Sequence, residues 1–324
     1  MTTIKDIAKE LSLSTATVSR ALHDSDSPYV SDGTRSRVLE TARIMGYTPN
    51  ARGRALATGR THLVSLWINN PNTAYYAMVA GDLCDKSERR GFHPVVRAAS
   101  AQSSKPLAWQ AQDGLADGVM AVDVGEPLGA LVPQGRAPFR PIVALGALCL
   151  TTVDHVGVDL YTGAVAAMHH LVATRPGRIV GLMYREDDPR TCAYNTVMRE
   201  AGREPEVVMI PDESRRTNRA LAAAYVAEHG CPAAFFCQND DVAIAAYRGL
   251  LDAGLRIPDD VAIVGCDGIE DGEYLDRPLS TITHPVDEMC EMAWQFLLLR
   301  MSQPEAPRQE AVLPSKFVIR ASSA

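Results

Sequence analysis

The chain lacks the sequence signatures of most enzyme and membrane classes. Its 324 residues contain seven cysteines, but no C-x-x-C pair, so neither a disulfide framework nor a zinc motif is evident. No apolar run approaches the ~20 residues of a membrane span, and "MTTIKDIAKE" has no signal-peptide core. The G-x-G-x-x-G, P-loop, G-x-S-x-G and H-E-x-x-H motifs are missing too. The sequence therefore predicts a cytoplasmic protein with no catalytic residues, cofactor, metal or membrane partner.

Positive charge is scarce in most of the chain but not at its start. The formal net charge is -7, yet residues 1–62 hold nine Lys and Arg against six Asp and Glu. The rest of the chain therefore carries a net charge of -10. A mildly basic head on an acidic body is typical of a small module that meets a polyanion, attached to a body that does not.

Three short amphipathic segments occupy the first 48 residues. The first places its apolar residues at i, i+3, i+4 and i+7, namely Ile4, Ile7, Ala8 and Leu11. Ser14 is the expected N-cap of a second helix, "TATVSRAL", and a third helix is predicted near residues 32–45. Two short helices joined by a tight turn and closed by a third predict a helix-turn-helix domain. Periodicity alone leaves a generic three-helix bundle open as the alternative.

The outer face of the second helix has the residue types of a major-groove reader. Small residues allow close approach to the bases, a methyl group can touch thymine, and Arg can pair with guanine or phosphate. The candidate DNA-contacting residues of the head are Thr3, Ser14, Thr15, Ala16, Thr17, Ser19 and Arg20. The expected partner of this face is double-stranded DNA.

From residue 61 onward, short apolar runs alternate with helical stretches. Strands are predicted at 62–68, 93–97, 118–122, 141–145, 178–184, 205–210, 233–237 and 261–265, with a last one in "KFVIR". Helices are predicted at 77–90, 160–173, 218–229, 241–253 and 286–301. This alternation predicts an α/β fold with parallel sheets covered on both faces. The run is too long for one ordinary sheet, so two doubly wound lobes are expected, with a ligand at the carboxyl ends of their strands.

Four segments carry a colinear resemblance over nearly the whole chain: "TIKDIAKELSLSTATVSRALHD", "VSDGTRSRVLETARIMGYTPNARGRALATGRT", "GVDLYTGAVAAMHHL" and "NDDVAIAAYRGLLDAGLRIPDDVAIVGCDGIED". Together they resemble the lactose/galactose repressor family of bacterial transcription regulators. The resemblance implies a helix-turn-helix domain at 1–48, a hinge helix at 49–60 and an effector-binding, dimerising body at 61–324. The body would resemble periplasmic binding proteins, with lobe 1 at about 61–156 and 284–304, and lobe 2 at about 157–283 and 305–324.

The segment "TPNARGRALATGR", residues 48–60, is basic and Ala-rich. A helix of about nine residues is marginal in water, and the resemblance implies that two copies of it become helical together on a pseudopalindromic operator. Leu56 would then act as a wedge between base pairs in the minor groove, with Asn50, Arg52 and Arg54 beside it. The alternative is that Leu56 packs on the head.

The chain has no heptad tail after its last strand, so a homodimer is expected.

The resemblance also implies a set of residues that contact a small effector, expected to be a carbohydrate. The family's ligand arginine precedes an aromatic residue by four positions, which is Arg190 here, with Arg185 as a rival. The other groups expected at the strand ends are Asn70, Tyr75, Tyr76, Asn239, Asp240 and Asp267. Asn239 and Asp240 have a second interpretation as helix caps. Departures from the family pattern, which leave the effector's identity open, occur at Gly146, Cys266 and Gly268.

Three other functions compete with an effector-controlled transcription regulator acting as a repressor. An enzyme is disfavoured by the missing catalytic motifs, and a cytosolic ligand-binding α/β protein or enzyme whose DNA-binding head has a minor role is the alternative. A secreted binding protein with the same body fold is disfavoured by the head and the missing signal peptide. An architectural DNA binder would leave the large body unexplained.

Overall fold

The computed structural model describes residues 2–23, 27–48, 55, 59–99, 115–125, 140–147, 152–212 and 214–324. The chain divides into two compact units, Met1–Thr61 and His62–Ala324. The hinge residues Asn50, Arg52, Arg54 and Leu56 lie outside the described residues, so the hinge helix stays a prediction. Within the described ranges, no helix combines the length and apolar character that crossing a membrane requires.

The first unit contains the three helices that the apolar periodicity predicts. They are α1 Ile4–Leu11, α2 Thr15–His23 and α3 Asp32–Ile44. Thr3 and Asp6 form a capping box at the start of α1. At the start of α2, the hydroxyl of the expected N-cap Ser14 accepts the Thr17 backbone N–H at 3.0 Å. The apolar faces meet in one core of Ile7, Ala8, Val18, Ala21, Val30, Val38 and Ala42. The predicted three-helix head is therefore confirmed.

The second unit alternates strands and helices. Its strands are β1 Leu63–Ile68, β2 His93–Ala98, β3 Gly118–Val122, β4 Ile142–Gly146, β5 Asp154–Asp159, β6 Ile179–Met183, β7 Glu206–Met209, β8 Ala234–Cys237, β9 Ala262–Asp267, β10 Ser280–Thr283, β11 Glu310–Pro314 and β12 Lys316–Val318. Its helices are α4 Ala74–Arg89, α5 Leu160–Thr174, α6 Pro189–Glu200, α7 Arg215–His229, α8 Asp240–Asp252 and α9 Val286–Ser302, with a 3-10 turn at Glu270–Tyr274. All nine predicted strands are present, and β5, β10 and β11 were not predicted.

The strands form two six-stranded sheets, as expected for two doubly wound lobes. The first sheet has the order β11-β5-β4-β3-β1-β2, and its strands pair in parallel throughout the described residues. The second has the order β12-β10-β9-β8-β6-β7, with β12 antiparallel to β10. Buried apolar residues cover both sheets, and one continuous core runs across them, from Val64 in β1 to Ile282 in β10.

The chain passes between the sheets three times: after β5, between β10 and α9, and between β11 and β12. The last crossing corrects the predicted lobe boundary at residue 305. Strand β11 pairs in parallel with β5, with Val312 opposite Gly157, so the chain stays with the first sheet until Pro314. The boundary was wrong because the sequence of β11 does not show which sheet this strand joins. β11 is a half-exposed edge strand, and its position in the sheet depends on pairing with β5, about 155 residues earlier in the chain.

Candidate functional site

A cavity of about 190 Å³ lies between the two sheets, at the carboxyl ends of their strands. The side of the first sheet contributes Asn69, Thr73, Tyr75, Tyr76, Asp123 and Ala147. The side of the second sheet contributes Tyr184, Arg185, Asp188, Arg190, Gln238, Asn239, Asp241 and Asp267. Leu160 and His284, at the connections between the sheets, complete the lining. This is the position at which parallel α/β sheets bind ligands.

Arg190 lies buried in this cavity and is held by a carboxylate two residues before it. Its Nε and Nη2 donate to the two carboxylate oxygens of Asp188, both at 2.9 Å, and its Nη1 donates to the Gln238 carbonyl at 2.8 Å. Burial alone would raise the pKa of Asp188, but the hydrogen bonds from Arg190 hold that pKa below its ordinary value. The rival Arg185 also lines the cavity, but its side chain is 57% exposed and pairs with Asp187. Arg190 is therefore the buried cation of the cavity, and Asp188 balances its charge.

Asp267 closes the carboxyl end of β9 in a strained backbone conformation. Its φ is +125°, a region that costs a non-glycine residue ~1–3 kcal/mol and is found mostly at functional sites. Burial raises the pKa of Asp267 well above its ordinary value. The carboxylates of Asp240, Asp241 and Asp123 also raise this pKa, whereas the Arg190 guanidinium lowers it. The Asp267 carboxyl group is therefore shielded from water and lies near other carboxylates. A ligand group that donates hydrogen bonds to it would be stabilised there.

Three other predicted residues also line the cavity. Tyr75 and Tyr76 contact each other edge to face at 5.2 Å, and Tyr75 contacts the His284 ring at 5.1 Å in the same way. Asn239 is at once a lining residue and a helix cap, because its Oδ1 accepts the Val242 backbone N–H at 2.9 Å. Both interpretations of Asn239 are therefore compatible with the structure.

Two predicted residues are placed away from the cavity. Asp240 is fully buried and accepts hydrogen bonds from the Thr281 hydroxyl at 2.7 Å and from the Ile269 backbone N–H at 3.0 Å. Burial raises its pKa to about 6, against the effect of these hydrogen bonds. It stabilises the loop after β9 and does not face the ligand space. Asn70 is outside the lining as well, and the preceding Asn69 takes that place.

Several lining residues were not predicted. Asp123 directly follows β3, a predicted strand, so the strand-end rule that found Asp267 could have found it. His284 follows β10, which the apolar pattern did not reveal. Asp188 caps α6 by accepting the Arg190 backbone N–H at 2.9 Å, and its position in the cavity follows from the bond to the Arg190 side chain.

In the first unit, the candidate DNA-contacting residues lie at the start of α1 and along the first two turns of α2. Thr3, Ser14, Thr15, Ala16 and Arg20 are exposed, and Thr17 and Ser19 are half-buried. The Arg20 guanidinium lies 5.4 Å from the centre of the Tyr29 ring, itself 78% exposed. This cation–π contact positions the arginine without removing its hydrogen-bond donors. The outer face of α2 therefore presents small polar side chains and one arginine.

Sequence comparison gives two matches to known families. Residues 3–50 match the sequence model described as "Bacterial regulatory proteins, lacI family". Residues 168–323 match "Periplasmic binding protein-like domain". The first match covers the three-helix unit, and the second covers the second sheet with the returning segments.

Similar proteins align over almost the whole chain. The HTH-type transcriptional repressor PurR of Photobacterium profundum is 27% identical over 99% of this chain and 98% of its own. The ribose operon repressor of Haemophilus influenzae is 27% identical with the same coverage. Among solved structures, the Lac repressor dimer bound to operator and the anti-inducer ONPF superposes with a TM-score of 0.82 at 21% identity, covering 99% of both chains. The predicted fold class is confirmed.

Proposed function

We infer that this chain is a member of the lacI family of bacterial regulatory proteins and a sequence-specific DNA-binding repressor controlled by a small molecule. The observation that carries this inference is the combination, in one chain, of a helix-turn-helix head and a two-sheet body with a polar cavity at its strand ends. The ligand controls DNA binding if it favours one arrangement of the two lobes over the other. The relatives act as repressors, and we propose that this chain does so without catalytic activity, in the cytoplasm.

The proposed effector is a small carbohydrate or a derivative of one. A cavity of about 190 Å³ is smaller than the roughly 300–1,000 Å³ that hold drug-sized ligands, which favours a single small ring. Tyrosine rings beside carboxylates suit a molecule with an apolar ring face and hydroxyl edges. Structural neighbours with TM-scores of 0.69 were solved with cellobiose and with ribose. A thermal-shift screen of sugars, nucleobases and phosphorylated sugars tests this proposal.

The proposed DNA complex contains two copies of the chain on a pseudopalindromic operator. Two heads, each with α2 in the major groove, would read two half-sites. We propose that residues 49–60 become helical there and that Leu56 enters the minor groove, with Asn50, Arg52 and Arg54 nearby. This step rests on the family and on the composition of the segment.

Replacing Asp267 tests the position of the effector. Asp267→Ala should weaken effector binding by about 1–3 kcal/mol, because ligand hydroxyls would lose their buried acceptor. Operator binding without effector should be unchanged. Titration calorimetry with the ligand from the screen measures the first effect, and a gel-shift assay measures the second. Asp271→Ala, which changes a 52% exposed carboxylate nearby, is the control, and equal affinities of the two variants would place the effector elsewhere.

Replacing Arg20 tests the DNA-reading face. Arg20→Ala should weaken binding to the preferred operator by about 1–3 kcal/mol and relax the preference at one base pair if the arginine contacts a base. A phosphate contact would instead weaken all sequences uniformly and reduce the salt slope by about 1. Binding is measured over a salt series with a randomised operator pool. Arg43→Ala removes the same charge from α3, where the side chain is 74% exposed; if it matched Arg20→Ala, α2 would not be the reader.

A further inference from the structure

Three side chains with different metal-ligating atoms meet at the wall of the cavity. The Sγ of Cys266, the carboxylate of Asp267 and a ring nitrogen of His284 all lie within 4.8 Å of one another. Cys266 Sγ is 3.5 Å from His284 Nε2, and that nitrogen is 3.9 Å from Asp267 Oδ1. Strand pairing produces the cluster, because Thr283 of β10 lies opposite Asp267 of β9, which brings His284 to the same sheet edge. We propose that Cys266, Asp267 and His284 bind a divalent transition-metal ion of the zinc class.

The distances fit a tetrahedral ion with little rearrangement. Zinc bonds of about 2.3 Å to sulfur and about 2.0 Å to nitrogen or oxygen place tetrahedral sulfur and nitrogen ligands about 3.5 Å apart, and nitrogen and oxygen ligands about 3.3 Å apart. The observed sulfur–nitrogen distance of 3.5 Å matches the first value, and the observed nitrogen–oxygen distance of 3.9 Å exceeds the second by about 0.6 Å. Thiolate, imidazole and carboxylate together favour zinc-like ions over calcium or magnesium. Three protein ligands leave a fourth position, and since Asp267 and His284 line the cavity, that position faces the ligand space.

The histidine supplies a second observation that indicates a missing ligand. Its side chain is 3% exposed, and within the described part of the chain its Nδ1 has no hydrogen-bond partner. Its Nε2 lies 3.5 Å from the Cys266 sulfur. A buried imidazole with so few hydrogen bonds is costly. Coordination of Nε2 to an ion would offset part of that cost, while Nδ1 would stay without a partner among the described residues.

The surrounding charges also favour a cation. Four carboxylates, those of Asp123, Asp188, Asp241 and Asp267, line the cavity beside the two guanidinium groups of Arg185 and Arg190. The Nη1 of Arg190 is 3.9 Å from the Cys266 sulfur and would repel a cation there, but the bidentate pair with Asp188 balances the charge of Arg190. A divalent ion would therefore offset the excess of negative charge in the lining. The metal site does not depend on which organic molecule occupies the cavity.

Cobalt substitution of the full-length protein tests the site without DNA or sugar. The protein is reduced, treated with a chelator and titrated with Co²⁺, and the wild type should develop a thiolate-to-cobalt charge-transfer band that saturates at one ion per chain. Cys266→Ser should lose the band. His284→Gln should weaken Co²⁺ binding by roughly tenfold or more, the size of loss seen even for residues that only support metal ligands. Zn²⁺ should displace the cobalt and raise the melting temperature of the wild type but not of either variant.

Matched controls separate the cluster from adventitious thiols. Cys192→Ser changes an exposed cysteine, and Cys237→Ser changes a buried one at the end of neighbouring β8; both should keep the band. Absence of a band in the folded wild type, or an undiminished band in Cys266→Ser, would overturn the proposal. If Cys266→Ser does not fold, the comparison of His284→Gln with the wild type decides. Failure of the sugar screen would leave these results intact, so the two proposals can fail separately.

Discussion

Arg300→Met should lower the free energy of unfolding by about 3–5 kcal/mol, because it leaves Asp154 buried without its cation. The Asp154 side chain is 2% exposed, and its oxygens accept from Nε and Nη2 of Arg300, both at 2.8 Å. Arg300 also donates to three carbonyls of the loop that leads from α9 to β11, those of Pro304, Ala306 and Pro307. The pair therefore ties the C-terminal helix and the edge strand to the first sheet.

Urea unfolding monitored by circular dichroism measures this effect. Arg308→Met is the matched control, since Arg308 pairs with Glu310 at the surface, where the two side chains are 50% and 62% exposed. Exposed pairs contribute ~0–1 kcal/mol, so this control should unfold almost as the wild type does. Similar midpoints for the two variants would show that burial does not strengthen the Asp154 pair.

The stability gap between wild type and Arg300→Met should also depend on pH. Burial alone would raise the pKa of Asp154, but the hydrogen bonds from Arg300 and Gln309 hold that pKa below its ordinary value. A carboxyl with a lowered folded-state pKa stabilises the fold above its unfolded pKa of about 3.9 and loses that contribution as the pH falls through the folded value. The gap should therefore be constant near neutral pH and shrink below about pH 4.

Asp188→Ala should destabilise the second lobe by a similar amount and change which ligands the cavity accepts. The Arg190 side chain is 11% exposed, so removing its carboxylate partner leaves a buried, unpaired cation at a cost of about 3–5 kcal/mol. The lost N-cap of α6 adds about 1 kcal/mol. The cavity would then hold a cation able to pair with an added anion. Acidic sugars or sulfate should raise the melting temperature of the variant more than that of the wild type.

The neighbouring aspartate provides the control for this variant. Asp187 pairs with Arg185, and the two side chains are 72% and 57% exposed. Asp187→Ala should therefore cost less than about 1 kcal/mol and should not produce an anion response. Differential scanning fluorimetry with and without sulfate compares the three proteins. An Asp188→Ala protein as stable as Asp187→Ala would mean that Arg190 finds another partner or turns to solvent.

The sequence alone could predict the features that depend on local interactions. The head helices follow from apolar residues three and four apart and from caps such as Thr3 and Ser14, whose partners lie within a few residues. The strand-end rule placed Tyr75 and Asp267 in one cavity, because parallel strands end at one edge of a sheet, and the family resemblance placed Arg190 there. The same rule could not distinguish Asp240 from Asn239, because both lie at the start of one helix. Asn239 lines the cavity, whereas the Asp240 carboxylate accepts a hydrogen bond from the Thr281 hydroxyl.

The sequence by itself thus determined the alternation of helices and strands, the two-part organisation and the edge of the body where the site lies. The tertiary structure alone decided that Glu310–Pro314 pairs with β5, that Asp154 pairs with Arg300, and that Cys266 meets His284. The physical reason is the distance along the chain. Periodicity and capping depend on neighbours within a turn or two, whereas strand pairing and side-chain contacts across sheets join residues far apart, which no local pattern records.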